Sequence, residues 1–174
     1  MTVTTSTGVM TRVPVSVAAM PEPFLWRVRH TDLDDLGQSV RRVVAKGGEP
    51  CRDVLRRARP GERLILASFT PFTEPGPYKE YGPVFVLAEP GDETVCRTLL
   101  PRAGRPEDYL REHFVVRAYS ASQEIIDAAY VDAPSFGQTV DGFFNRAGAA
   151  FLHVRFPAYG CFALRIDRRN ADGE

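Results

Sequence analysis

Apolar residues recur along this chain at two spacings. Leu33, Leu36, Val40, Val43 and Val44 fall on one helical face, with Thr31 or Asp32 at a capping position and Gly47-Gly48 behind them, so the spacing predicts a helix over residues 31–47. Phe136, Val140, Phe143 and Phe144 share a face ahead of Gly148 and predict a second helix over residues 135–146. Pro106 suits the first turn of a short third helix over residues 107–113. Strand patterns occupy residues 24–29 (FLWRVR), 63–69 (RLILASF), 84–88, 114–119 (FVVRAY), 124–132, 150–156 (AFLHVRF) and 161–167 (CFALRID). Turn residues separate them: Pro60-Gly61 before the second strand, and a long Pro- and Gly-bearing loop over residues 70–83.

Strands arriving in hairpin-like pairs beside few helices predict an α+β fold, a mainly antiparallel β-sheet with two or three helices packed on one face. Residues 21–168 are expected to form one domain. The stretch 1–20 lacks periodic apolar residues and is expected to be a disordered, dispensable tail, and 169–174 a polar tail. The last hairpin carries a sharper expectation. A four-residue loop over 157–160 pairs Phe156 with Cys161, which places His153 and Arg155 on a face with Phe162, Leu164 and Ile166. His153 is then buried, beside a cavity shared with Arg117 or Tyr119.

Composition narrows the function classes. The 174 residues are 44% hydrophobic and 25% charged, with 22 basic and 22 acidic side chains, so the basic excess of a nucleic-acid binder is missing. No apolar run approaches the length of a membrane span, and the N-terminus makes a poor signal peptide. Cys51, Cys96 and Cys161 are odd in number and widely spaced, which suggests reduced thiols in a cytoplasmic protein rather than a disulfide framework or a zinc site. No metal and no cofactor is expected, and neither nucleic acid nor membrane is expected as a partner. The sequence holds no Gly-x-Ser-x-Gly, no phosphate-cradling Gly-rich loop and no His-Glu-x-x-His.

Alternation along a strand puts Arg117 beside Tyr119, and His153 beside Arg155, each pair on one face. A guanidinium next to a phenol can hold an anion. A histidine next to a cation favours its neutral form and suits a general base. Cys51 precedes Arg52 within residues 41–63, where eight basic residues face three acidic ones, surroundings that activate a thiol. The bland readings stand beside these: a solvated sheet face for Arg117 and Tyr119, a hydrogen-bonded core histidine for His153, and a small buried hydrophobe for Cys51. Cys161, at the start of a strand, reads as packed.

The segments CRDVL, PGERLILASFTPF, PYKEYGPVFV, VVRAYS and FLHVRFPAYGCFALRIDR, in this order, resemble a bacterial family of small proteins, Domain of Unknown Function 1203, from about residue 50 to 168. The matching pieces are Cys51-Arg52, Pro77-Tyr78, Gly82-Pro83, Arg117-x-Tyr119, His153-x-Arg155 and Gly160-Cys161. The chain departs where relatives often carry a second cysteine just after Cys-Arg, where Val54 and Leu55 follow, and a histidine after Phe-Val, where Leu87 follows. The resemblance implies no particular activity. The residues themselves point to a binding protein or enzyme for a small anionic molecule. In that reading Arg52, Tyr78, Arg117, Tyr119 and Arg155 hold the ligand, and His153 as base or Cys51 as nucleophile does any chemistry. The alternative is a protein-interaction module that presents the Pro-rich loop 70–83.

Overall fold

A computed structural model describes residues 11–169. Within these residues ten strands form two five-stranded sheets. The first sheet orders β1 (Val15–Val17), β10 (Phe162–Arg168), β9 (Phe151–Arg155), β7 (His113–Tyr119) and β8 (Ile125–Asp132). The second orders β2 (Arg41–Val44), β5 (Arg63–Phe69), β6 (Gly82–Leu87), β3 (Pro50–Cys51) and β4 (Arg56–Arg57). Every ladder is antiparallel except β3 against β6. The α+β class therefore holds, with two sheets in place of one. Each sheet has its own helix: α2 (Phe136–Asn145) buries Phe136, Val140, Phe143 and Phe144 in the core of the first, and α1 (Glu22–His30) covers the second.

Two segments fold differently from their sequence patterns. FLWRVR lies inside α1: Phe24, Leu25 and Val28 bury one helical stripe, Pro23 stands in the first turn, and Arg27, Arg29 and His30 complement the dipole in the last. Residues 31–40 form turns, and β2 follows where the helix 31–47 was expected. The cause is Asp34. Its buried carboxylate accepts from the backbone N–H groups of Leu36 (2.9 Å), Gln38 (2.9 Å) and Ser68 (3.1 Å), a local network that outcompetes a helix. Leu33, Leu36 and Val44, which would have been that helix's core face, are exposed. The short helix over 107–113 is also absent; this stretch is irregular, with one bridge from Ala103 to Leu110.

The tail also needs correction. Residues 1–10 and 170–174 lie outside the described residues, but Val15–Val17 add a strand to β10, and Val13, Val15 and Val17 are buried against the first sheet. Three alternating valines are enough for a half-buried edge strand, a pattern too short to stand out in the sequence.

The final hairpin is half as expected. The Phe156 N–H donates to Cys161 O (3.0 Å) across the loop 157–160, closed by Gly160 at φ +65°. Phe162 then pairs with Arg155, but a bulge shifts the register, and Leu164 pairs with Val154 and Arg165 with His153. His153 thus shares its face with Arg165 and Asp167 rather than with Leu164 and Ile166. It is fully buried nevertheless, because β9 is covered on both faces, by the α2 side and by loop 70–81 with Phe162.

Candidate functional site

Four of the expected site residues meet on the first sheet. Arg117 pairs with His153, Tyr119 with Phe151 and Val115 with Arg155, so Arg117, Tyr119, His153 and Arg155 share one face. Loop 70–81 roofs it. Phe72 packs edge-on against Tyr119 (5.5 Å) and His153 (5.2 Å), and Glu80 ion-pairs with Arg155 and, at 3.6 Å, with Arg117. The loop is fastened at its start: Thr70 N–H donates to Asp35 (2.8 Å), and Gln123 bonds Thr73 through both N–H and hydroxyl. Four aromatic rings, those of Phe72, Tyr119, Phe151 and Phe162, surround the imidazole. Burial, then the charges of Arg165 and Arg117, hold its pKa down to about 3, so His153 is neutral. Neither ring nitrogen, nor the Tyr119 hydroxyl, has a hydrogen-bond partner among the described residues. His153 lines neither of the cavities described next.

Cys51 is a correction too. It is completely buried among Ala45, Ala58, Leu64 and Leu87, and burial, then Asp53, pushes its thiol up to about 12. Its sequence neighbours are basic, but its side chain points into the apolar layer, which opposes the thiolate a nucleophile needs. Tyr78 stands exposed on the loop.

Arg52 points the other way and leads to a second place. Its backbone N–H continues the β3–β6 ladder to Phe85 O (2.9 Å). Its side chain then reaches the last hairpin: Nε donates to Phe162 O (2.9 Å), one terminal nitrogen to Pro50 O (2.7 Å) and the other to Cys161 Sγ (3.3 Å). Here the two sheets part into a cleft of about 570 Å³, lined among others by Lys46, Arg52, Arg57, Arg111, His113, Phe156, Tyr159 and Cys161. A smaller cavity of about 190 Å³, mostly apolar, touches Arg52 together with residues 69–73 and 162–165.

The cleft is cationic. Among the described residues Glu49 is its one acidic lining residue, and its oxygens already accept from the N–H groups of Lys46 (2.8 Å) and Gly47 (2.9 Å). Arg52, Arg57 and Arg111 have no carboxylate within ion-pair distance among the described residues. Arg57 donates to Gly48 O (3.0 Å) and Asp108 O (3.3 Å), and the Arg57 and Arg52 guanidiniums lie 4.9 and 5.2 Å from the Phe156 ring. Burial, then the neighbouring Arg111 charge, lowers the pKa of Arg57 from its ordinary value, as expected of like charges crowded together.

Of the cleft residues, sequence reasoning selected only Arg52. Arg57 lay within the basic stretch that drew attention to Cys51, whereas Arg111, His113 and Phe156 belong to segments that only the folded chain brings alongside. The Cys-Arg and Gly-Cys pieces are 109 residues apart from Arg52 to Cys161, yet their side chains touch. A family model, Protein of unknown function (DUF1203), matches residues 48–168, and the chain belongs to that family. No curated protein and no solved structure matches it.

Proposed function

We propose that this DUF1203 protein binds a small anionic molecule in the cleft between β3–β4 and the last hairpin, as a binding protein or as an enzyme acting on that ligand. The observation that carries the reading is the convergence of Lys46, Arg52, Arg57 and Arg111 on one cavity whose single carboxylate among the described residues, that of Glu49, is engaged by backbone. The chain as a whole is neutral, and eight of the seventeen arginines outside the cleft ion-pair with a carboxylate among the described residues, whereas none of Arg52, Arg57 and Arg111 does although they converge on one cavity. Guanidiniums fit carboxylate and phosphate through paired N–H donors, and a cleft lined by one sign of charge concentrates the opposite ion. The Phe156 ring and the Phe85 and Pro83 side chains supply apolar walls, the usual surroundings for a few orienting polar groups. The interaction-module reading is weaker, because Phe69 and Phe72, the apolar residues at the start of the loop, are buried.

The test is calorimetric titration with inorganic phosphate, pyrophosphate and citrate against chloride at matched ionic strength. At least one multivalent anion is expected to bind, and Arg57→Gln and Arg111→Gln are each expected to weaken it about tenfold, the cost of one lost charge-assisted hydrogen bond. Equal indifference of wild type and variants to all three anions would overturn the reading.

A further inference from the structure

We infer that Cys161 is the nucleophile of this cleft and a site of covalent modification by small anionic electrophiles. This rests on the anion-binding reading above and adds a reacting atom to it. The three thiols are placed very differently: Cys51 is sealed in an apolar cluster, Cys96 is exposed, and Cys161 is half-buried on the cleft lining. Among the described residues only Cys161 accepts a hydrogen bond from a guanidinium.

The state of Arg52 is the second observation. It is 2% exposed, and a cation withdrawn from water without a counter-charge is costly. Its three side-chain partners are two backbone carbonyls and the Cys161 sulphur, and of these the sulphur alone can carry a negative charge. The Arg155 guanidinium stands behind the same turn. It is 4% exposed and donates to Gly160 O (2.8 Å), and its charge is met by Glu80 on the far side of the turn, so it holds the turn in place without adding to the cleft's field. The turn is rigid: Gly160 N–H donates to Phe156 O (2.8 Å), and Phe156 N–H to Cys161 O. The sulphur is therefore held at a fixed point, against one buried cation and beside the more open Arg57 and Arg111.

This arrangement selects its reactant by charge. An anion carrying an electrophilic carbon is drawn into the cleft by the arginines, which then hold its anionic group while the sulphur attacks the carbon. In that step the C–S bond forms, the leaving group departs with the electron pair of its bond to carbon, and the thiol proton passes to solvent. No oxidant or reductant is required.

Iodoacetate and iodoacetamide differ in charge but share the reacting carbon and the leaving iodide, so the ratio of their rates reads the field at each thiol. With the full chain, alkylation is followed at each cysteine by mass spectrometry, with exposed Cys96 as the internal reference. The iodoacetate-to-iodoacetamide ratio at Cys161 is expected to exceed that at Cys96 about tenfold, the low end of electrostatic steering. Citrate is expected to protect Cys161 and not Cys96, Arg57→Gln and Arg111→Gln to bring the ratio down toward that of Cys96, and Cys51 to stay unlabelled. If Cys161 resists both reagents while citrate still binds calorimetrically, the nucleophile assignment falls and the binding reading stands. If Cys161 reacts with the same charge preference as Cys96 and without citrate protection, the cationic cleft itself has failed.

Discussion

Two groups of arginines in this molecule differ in what neutralises them. On the first sheet, Arg117 and Arg155 share the Glu80 carboxylate, and loop 70–81 closes over them and over a neutral His153. In the cleft, Arg52 and Arg57 are satisfied by carbonyl oxygens, an aromatic ring and a sulphur, Arg111 makes no side-chain hydrogen bond among the described residues, and the charge of all three is left over. A cluster that brings its own carboxylate has spent its field on folding. A cluster that brings none still has a field to offer a ligand. By this criterion Arg117 and Arg155, both suggestive in the sequence, have their charge met within the fold, whereas of the cleft arginines the sequence marked only Arg52.

The largest expected effect belongs to the closed group and is a pH dependence. The His153 pKa is lowered from 6.5 to about 3 on folding, so between those values the unfolded chain binds one more proton than the native protein. Stability from this group is complete above pH 6.5 and is lost as pH falls toward 3, at about 1.4 kcal/mol per pH unit and so about 3 kcal/mol by roughly pH 4. His153→Phe keeps an aromatic side chain in the cage and removes the titration. Urea denaturation as a function of pH is expected to show the variant losing less stability than wild type across that window by about one proton. Parallel curves would mean that water reaches the imidazole, and the cage would then be a site after all.

Next in size is Glu80→Gln. Removing the carboxylate leaves Arg155, whose side chain is 5% exposed, without its ion-pair partner. Breaking a fully buried pair costs roughly 3–5 kcal/mol. Glu80 is 39% exposed, so water weakens the interaction and about 2 kcal/mol is expected. Thermal or chemical denaturation measures it. A neutral substitution would show that the roof is held by Phe72 and Gln123 alone and that the two groups of arginines are not distinguished by pairing.

How far these regions were legible in the sequence follows from the range of the forces that build them. The strand 63–69, the helix 135–146 and the hairpin loop 157–160 are set by local periodicity and turn residues, and the structure has them within a residue or two. Arg117, Tyr119, His153 and Arg155 were found because alternation within a strand fixes which residues share a face. What alternation could not give was the roof, since Glu80 reaches Arg155 across 75 residues of chain. The helix 31–47 failed because Asp34 makes a turn that the apolar spacing does not reveal. The bulge after Phe162 exchanged Leu164 for Arg165 beside His153. The cleft was least legible of all. It is assembled from residues 46–57, 83–85, 111–113 and 156–161, and no window of sequence contains two sides of it.

The smallest expected change in stability is also the one with the opposite sign. Arg111 is exposed on the cleft wall, makes no side-chain hydrogen bond or ion pair among the described residues, and crowds the charge of Arg57. Replacing it removes a repulsion and no favourable contact, so Arg111→Gln is expected to stabilise the protein by a few tenths of a kcal/mol at low ionic strength, within the usual range of about 0.5 kcal/mol for surface changes. Salt screens the same repulsion over about 10 Å at 0.1 M, so the gain should fade as sodium chloride is added. A bound anion neutralises the cluster more effectively than screening does. It raises wild-type stability in proportion to the logarithm of its concentration above the dissociation constant, and the variant should lose that increment while keeping its own small gain. Melting temperature against citrate concentration separates the two. Wild type should begin below Arg111→Gln and overtake it, and curves that never cross would place the anion somewhere other than this cleft.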